Sequence, residues 1–248
     1  MIQSHGVTDA GCVRSKNEDR IFLDESSGFF ILSDGMGGHR HGELAAELAT
    51  STVQHYLESS QGRLDITWPF GYNFELSVDA NRMSTAIQMA NRQVWKQAET
   101  GPEYAGMGTT VAAAIVNGSK ITVGNVGDSR VYLYQKGSLR QLTVDDTWVN
   151  AFSGRGGGPK INVPRNLLTQ AAGSKDMVEV HTSEADIAEG DVVLLCSDGL
   201  YSLVPDAEIE AALAAGKSLT DTADNLLRAA KSAGGEDNIS IILLTRAD

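Results

Sequence analysis

Four short apolar runs, far apart in the chain, each meet an aspartate at one end. Asp34 follows Phe29-Phe30-Ile31-Leu32-Ser33 and opens DGMGGH, Asp128 follows Ile121 to Gly127 and opens DSR, and Asp198 follows Val192 to Ser197 and opens DGL. Asp237 instead precedes Asn238 and the run Ile239 to Leu244. A carboxylate placed where a strand hands over to a turn packs poorly but serves well as a ligand for a hard cation. If the four runs are neighbouring strands, their ends converge into one cluster of negative charge, and such a cluster needs compensation. The pattern therefore asks for a sheet-rich fold that brings distant parts of the chain side by side.

The remaining periodicity supplies the order of elements. Ile2 to Val7 reads as an edge or terminal strand, followed by a turn at Asp9-Ala10-Gly11. Arg20 to Leu23 and Gly28 to Ser33 read as two strands joined by the polar turn Asp24 to Ser27. From Gly42 to about Leu57 helix formers alternate with apolar residues every three or four positions, and Val78 to about Ala98 repeats that helical pattern with Met83, Ala86, Ile87, Ala90 and Val94 on one face. Gly62 to Ser77 has aromatics without a clean period and is expected as an irregular connection packed on the domain. Thr109–Val116, Lys120–Val126, Arg130–Tyr134 and Leu139–Leu142, punctuated by Asn117-Gly118, Gly127-Asp128 and Lys136-Gly137, are expected as one antiparallel meander. A strand at Val192–Ser197, helices at Asp206–Ala215 and Leu219–Ser232, and a strand at Ile239–Leu244 complete the chain. No repeated strand, crossover helix, strand rhythm is present, which argues against a doubly wound nucleotide-binding fold. Two antiparallel sheets with outer helices, an α+β class, accommodate the order better.

With 248 residues, 42% of them apolar, the chain can bury a substantial core, and the even spread of glycines and apolar runs favours a single domain over 1–248. Acidic residues outnumber basic ones by 32 to 20, a formal charge of -12 that opposes nonspecific attraction to nucleic acid or an anionic membrane. No run is long enough to span a bilayer, and no charged N-terminal segment leads an apolar export stretch. Cys12 and Cys196 lack a paired spacing, and Cys196, inside an apolar run, reads as a small buried hydrophobe.

Carboxylates at several strand ends, with glycines that admit backbone oxygens, suit Mg²⁺ or Mn²⁺, and a two-metal site can activate water and stabilise a phosphoryl transition state without a protein nucleophile. Arg14 offers a bidentate phosphate contact, while Glu18 and Asp19 are placed either to bind metal or to orient its waters. Taken singly, Arg14 reads equally as a surface ion pair and the two acids as solvated groups. DGMGGH lacks the Lys-Ser or Lys-Thr of a P-loop. Gly106-Met107-Gly108-Thr109-Thr110 is expected to let a loop enter a buried strand near the site.

At this point a resemblance is specific. GCVRSKNEDR at 11–20, FFILSDGMGGHRHGE at 29–43, GMGTTVAAAIV at 106–116, VGNVGDSRVYLY at 123–134, LLCSDGL at 194–200 and GGEDNISIILL at 234–244 follow one another in the order found in the bacterial branch of the PP2C (PPM) family. The chain resembles a metal-dependent protein serine/threonine phosphatase over nearly its whole length. The resemblance implies a four-layer α-β-β-α sandwich with two central antiparallel sheets flanked by helices. It also implies a core of two Mn²⁺ or Mg²⁺ ions, with Asp34 bridging, Gly35 lending its carbonyl, and Asp198 and Asp237 completing the set. Glu18 and Asp19 match the acidic pair near metal-bound water, Arg14 the phosphate-binding arginine, and Asp128 a ligand of a third Mn²⁺ or Mg²⁺. Asn238 is a lesser candidate for support behind the ligands. The implied reaction is attack of a metal-bridging water on the phosphorus of phosphoserine or phosphothreonine, with His39 or a water as the acid for the leaving oxygen. Phosphorylated proteins, among them a kinase or its targets, are the implied partners, for a cytoplasmic monomer.

The sequence departs from the family between 145 and 166. Where relatives carry Asp-His and later His-Pro before Arg-Asn, this chain has Asp145-Asp146 and Asn162-Val163-Pro164-Arg165-Asn166. The intervening Phe152 to Lys160 shows no helical apolar period and reads as a mobile flap in which Arg155 and Lys160 either attract an acidic phosphopeptide or belong to an ordinary polar loop. His41 is a further candidate acid, with a surface role as its alternative, and His5 and His181 show no site-like neighbours in sequence. Two other functions stay open on residues alone: a small-molecule phosphomonoesterase with the same centre, and a phosphoprotein-binding module without turnover.

Overall fold

In the computed structural model the described residues are 1–37, 41–63, 65–153 and 167–247. Alternation along the strands explains how they are layered. In β3 (Phe29–Ser33), Phe29 and Ile31 face one core while Phe30 and Leu32 face another, and β6 (Val111–Asn117) splits the same way. A strand apolar on both faces must be covered on both, so each such strand lies between two layers.

One sheet has the order β10 (His181–Asp186), β7 (Lys120–Val126), β6, β3, β2 (Arg20–Asp24). The second runs β1 (Ile2–Asp9), β12 (Ile239–Arg246), β11 (Val192–Cys196), β8 (Arg130–Gln135), β9 (Ser138–Gln141), and every pairing in both sheets is antiparallel. Leu32, Ala112, Val123 and Val131, Leu195, Ile242 meet between the sheets. The outer face of the first sheet is covered by α1 (Gly42–Ser60) and α2 (Val78–Ala98), and that of the second by α5 (Asp206–Ala214) and α6 (Leu219–Ser232). The four-layer α-β-β-α order implied by the resemblance is what the chain adopts.

Local chemistry fits these elements. The Ser77 hydroxyl accepts from Ala80 N at 3.0 Å and caps α2, and Ser218 caps α6 by accepting from Asp221 N at 3.1 Å. Alanines 112–114 and Gly124 keep the centre of the first sheet thin. A Cβ on Gly124 would stand 2.3 Å from Met83 Cγ, so α2 settles directly on the backbone of β7.

The expected four-strand meander is not formed. β6–β7 and β8–β9 are hairpins, as Asn117-Gly118 and Lys136-Gly137 predict, but they belong to different sheets. Gly127, with φ +92°, carries the chain from one sheet to the other, and a Cβ there would lie 2.7 Å from Thr110 Cγ2. A turn signal alone does not distinguish a hairpin from a crossing between layers. Elements that escaped the sequence reading include β10, the two-residue strands β4 (Gly35–Met36) and β5 (Gly108–Thr109), and the helix α3 (Trp148–Ser153) at the start of the expected flap.

Candidate metal centre

The site lies where the two sheets meet, and its backbone is pinned before its side chains are considered. Asp34 N donates to Thr110 Oγ1 at 3.0 Å, while Thr110 N and Thr109 Oγ1 donate to Asp34 O at 2.9 and 2.8 Å. β4 then pairs with β5, so the GMGTT segment clamps the Asp34 turn from its far side. Thr110 Oγ1 also shares a 2.7 Å hydrogen bond with Ser129 Oγ, tying this turn to the one that carries Asp128. Gly35 has no room for a side chain: a Cβ would fall 2.1 Å from Gly42 O and 2.7 Å from Glu18 O. Gly42 in turn faces the Glu18 carboxylate, with its own Cβ position 2.8 Å from Glu18 Oε2.

Asp19 is 1% exposed. Its Oδ2 accepts from Ser197 Oγ at 2.9 Å, but its Oδ1 has no hydrogen-bond partner, and neither does the buried Oδ1 of Asp198. A buried carboxylate oxygen without a donor costs free energy on the order of 1–3 kcal/mol or more, so two of them on acids within electrostatic reach of each other point to a missing positive charge. The proton equilibria say the same. Burial first, then the charges of Asp19, Asp198, Asp128 and Asp237, push Asp34 well above the usual carboxylate range. Burial, followed by Asp128, Asp237 and Asp19, pushes Asp198 up as well, and burial raises Asp19. Among the described residues no three acidic, histidine or cysteine side chains stand in the spacing of a closed metal cage.

Asp237 and Arg14 come from opposite ends of the chain. Arg14 Nη2 donates to Asp237 Oδ2 at 2.9 Å, and this bond raises the guanidinium pKa further. The Arg14 side chain is 57% exposed, so most of it faces solvent. Asn238 organises the Arg14 loop: its Oδ1 accepts from Glu18 N at 2.8 Å, and its Nδ2 donates to Lys16 O at 2.8 Å and Ala10 O at 3.2 Å. Cys12 N donates to Gly235 O at 2.7 Å, a second staple between the loops of Arg14 and Asp237.

Asp128 is 6% exposed, and burial pushes its carboxyl up to about 6. Its turn is held on two sides. Tyr201 Oη, from α4 (Asp198–Tyr201), donates to Asp128 O at 3.1 Å, and the Arg130 guanidinium stacks 3.7 Å from the centre of the Tyr201 ring. Arg130 also pairs with Asp145 at 2.7 Å. On the other side Gly127 N donates to Asp146 Oδ2 at 2.8 Å, and Asp146 Oδ1 pairs with His181 Nε2 at 2.9 Å. The expectation that His181 has no site-like neighbour is thus corrected, since it reaches the Asp128 turn through Asp146. Sequence separation conceals that contact. The His5 ring lies 3.3 Å from the Thr220 hydroxyl, and His41 packs edge-on against Tyr104.

The structure therefore brings Asp19, Asp34, Asp128, Asp198 and Asp237 within electrostatic reach of one another, with Glu18, Gly35, Asn238 and Arg14 around them. His39, Arg155 and Lys160 lie outside the described residues. Sequence reasoning missed the hydroxyls that hold Asp19 and the Asp34 and Asp128 turns in place: Thr109, Thr110, Ser129 and Ser197. Their signal was present as a serine next to three of the four aspartates and the Thr-Thr pair of GMGTT. Hard oxygen donors, two orphaned carboxylate oxygens and a cradle that only glycine allows fit a divalent cation such as Mg²⁺ or Mn²⁺.

The family model for protein phosphatase 2C matches residues 13–243. The chain belongs to the protein phosphatase 2C family. It is 38% identical over 250 residues to the serine/threonine phosphatase stp of Listeria welshimeri, covering 96% of this chain and 94% of that protein. The serine/threonine phosphatase structure from S. agalactiae superposes with a TM-score of 0.85 at 31% identity, covering 100% of both chains. The catalytic domain of the phosphatase PstP, solved in complex with two manganese ions, gives a TM-score of 0.82 at 31% identity over 100% of this chain and 99% of its own. Among the described residues of this protein phosphatase 2C member, no helix is long and apolar enough to cross a membrane.

Proposed function

We propose that this metal-dependent protein phosphatase hydrolyses phosphoserine and phosphothreonine in proteins at the seam between its sheets. In this reading Asp34, Gly35, Asp198 and Asp237 hold two Mn²⁺ or Mg²⁺ ions, Asp128 contributes to a third, and residues 1–248 act as one catalytic unit. The observation that carries it is the orphaned pair Asp19 Oδ1 and Asp198 Oδ1 beside an exposed arginine. Bound divalent cations would supply an activated water at neutral pH and offset the negative charge of the transferring phosphoryl group.

The chain's own residues do the rest. A guanidinium has five N–H donors, and only one of those of Arg14 is spent on Asp237, so it can still grip a phosphate. Asp19, fixed by Ser197 through one oxygen, has the other free to accept from water and align it. Glu18, whose backbone is set by Asn238, stands opposite Gly35 and Gly42 to do likewise. The departing serine or threonine oxygen takes its proton from His39 or from solvent. Arg155 and Lys160 are assigned to contacts with the phosphorylated chain. The physiological setting that fits is a cytoplasmic monomer opposing a serine/threonine kinase.

The test compares a phosphopeptide panel with phosphorylated metabolites in Mn²⁺ and Mg²⁺. Peptide turnover that disappears in Asp34→Ala and weakens in Asp128→Ala is expected. Hydrolysis of metabolites with none of peptides, or undiminished turnover by Asp34→Ala, would overturn the reading.

A further inference from the structure

A groove of about 1000 Å³ opens beside the candidate metal centre. Its inner end is formed by Asp128, Asp198 and Asp237, so it is continuous with the place where phosphate is to be handled. That volume is at the upper end of ligand pockets, about 300–1,000 Å³, and far exceeds a phosphate group. Nothing in the hydrolysis itself needs the remainder.

The lining is informative. Val144, 47% exposed, Val149, 39% exposed, Tyr201 and Leu203 contribute apolar lining. Arg130 also lines the groove, but its charge is already matched: the guanidinium is bonded to Asp145 at 2.7 Å and stacked on Tyr201. Bound divalent cations would offset Asp128, Asp198 and Asp237. Among the described residues one charged group of the groove then stays uncompensated, Glu236, which is exposed and whose carboxylate has no hydrogen bond or ion pair among them. It stands next in the chain to Asp237, and hence beside the phosphate end of the groove.

We propose that this groove seats the peptide segment flanking the phosphorylated residue, and that Glu236 selects a lysine or arginine in that segment over an acidic side chain. The inference rests on the protein phosphatase reading above. The apolar lining can accept the stem of a long basic side chain while its head meets the carboxylate, the way such side chains are ordinarily accommodated. An acidic flank would instead bring like charges together in a partly enclosed space. Any attraction of the phosphate itself to Arg14 acts at a different point of the substrate.

The experiment measures kcat/KM for three phosphothreonine peptides that differ only in a flanking Lys, Ala or Glu, each normalised to p-nitrophenyl phosphate hydrolysis by the same variant. The wild type is expected to favour the Lys peptide over the Glu peptide by about two- to fivefold, the size of one exposed ion pair, with the ratio shrinking as salt is added. Glu236→Gln should bring the ratio to about one, and Glu236→Lys should invert it. A wild-type ratio of one, or a preference that survives in Glu236→Gln, overturns the proposal. Turnover of p-nitrophenyl phosphate with none of any peptide would instead refute the protein phosphatase reading and remove this inference with it.

Discussion

Replacing Asn238 with alanine tests how the site is assembled, because the side chain is 6% exposed and every polar atom in it is used. Three hydrogen bonds disappear, from Glu18 N at 2.8 Å and to Lys16 O at 2.8 Å and Ala10 O at 3.2 Å. At about 1 kcal/mol net for each, with an added cost if a buried donor is left unpaired, Asn238→Ala should destabilise the protein by about 2–4 kcal/mol. The damage is not confined to stability, since the loop released carries Arg14 and Glu18. Support residues behind metal ligands are typically worth about 10–100-fold in metal affinity or activity, so half-maximal activity should need about tenfold more Mn²⁺. Asn238→Asp is the sharper variant. It keeps an acceptor for Glu18 N but turns a carboxylate oxygen toward two backbone carbonyls, and it should be at least as harmful as alanine. Urea unfolding in EDTA, read at constant m-value, measures the first effect without contribution from metal. Metal titrations of p-nitrophenyl phosphate hydrolysis measure the second. A loss below about 1 kcal/mol together with an unshifted metal requirement would refute the argument that Asn238 holds the Arg14 loop in place.

Asp34→Asn should raise the melting temperature in EDTA while abolishing turnover, because the amide removes one of the mutually repelling charges yet is a poor substitute ligand; differential scanning fluorimetry with and without Mn²⁺ reads both signs. The bond to Asp146 raises the His181 pKa above its ordinary 6.5, so the stabilisation it brings is complete below that value and is lost as pH rises through the folded-state value. The stability gap between wild type and His181→Gln, from urea midpoints, should accordingly be wider near about pH 6 than near about pH 9. Gly124→Ala, whose Cβ would lie 2.3 Å from Met83 Cγ and 3.0 Å from Ile87 Cδ1, should cost about 1–3 kcal/mol through overpacking. Met83→Ala in the same chain should recover part of that loss, which a double-mutant cycle would show.

What was legible in the sequence was what repeats along the chain or is spelled out locally. Helix α2 fell within the predicted Val78 to Ala98, and β7 within Lys120 to Val126, because each has one strong period and clear turn residues at its ends. The aspartates at strand ends were found as a group for the same reason. Contacts made across the fold were not legible. Asp146 reads as a polar loop residue, yet it accepts from Gly127, Gln170 and His181 at once. Ser197 reads as the polar end of an apolar run, yet it links Asp19 to Ser240 across two strands. Strand β10 has a weak signal because Thr182, Ser183 and Glu184 are polar on what is an edge strand, where one side needs no apolar partner. The Gly127 turn was seen and misassigned, since a glycine with positive φ serves a hairpin and a change of sheet equally well.

That change of sheet has a further consequence for folding. Asp34 ends a strand of one sheet, Asp198 and Asp237 border strands of the other, and Asp128 sits on the crossing between them. Neither sheet alone carries all of the carboxylates proposed as ligands. An intermediate in which one sheet has formed and the other has not would present only isolated carboxylates, so tight cation binding can begin only when the two halves dock. By mass action a ligand that binds only the docked state stabilises it by RT ln(1 + [L]/Kd). Divalent ion concentration thus becomes a dial on interlayer cohesion: depleting it should loosen the sandwich along its middle plane first, leaving each sheet with its own pair of helices as the unit that persists longest.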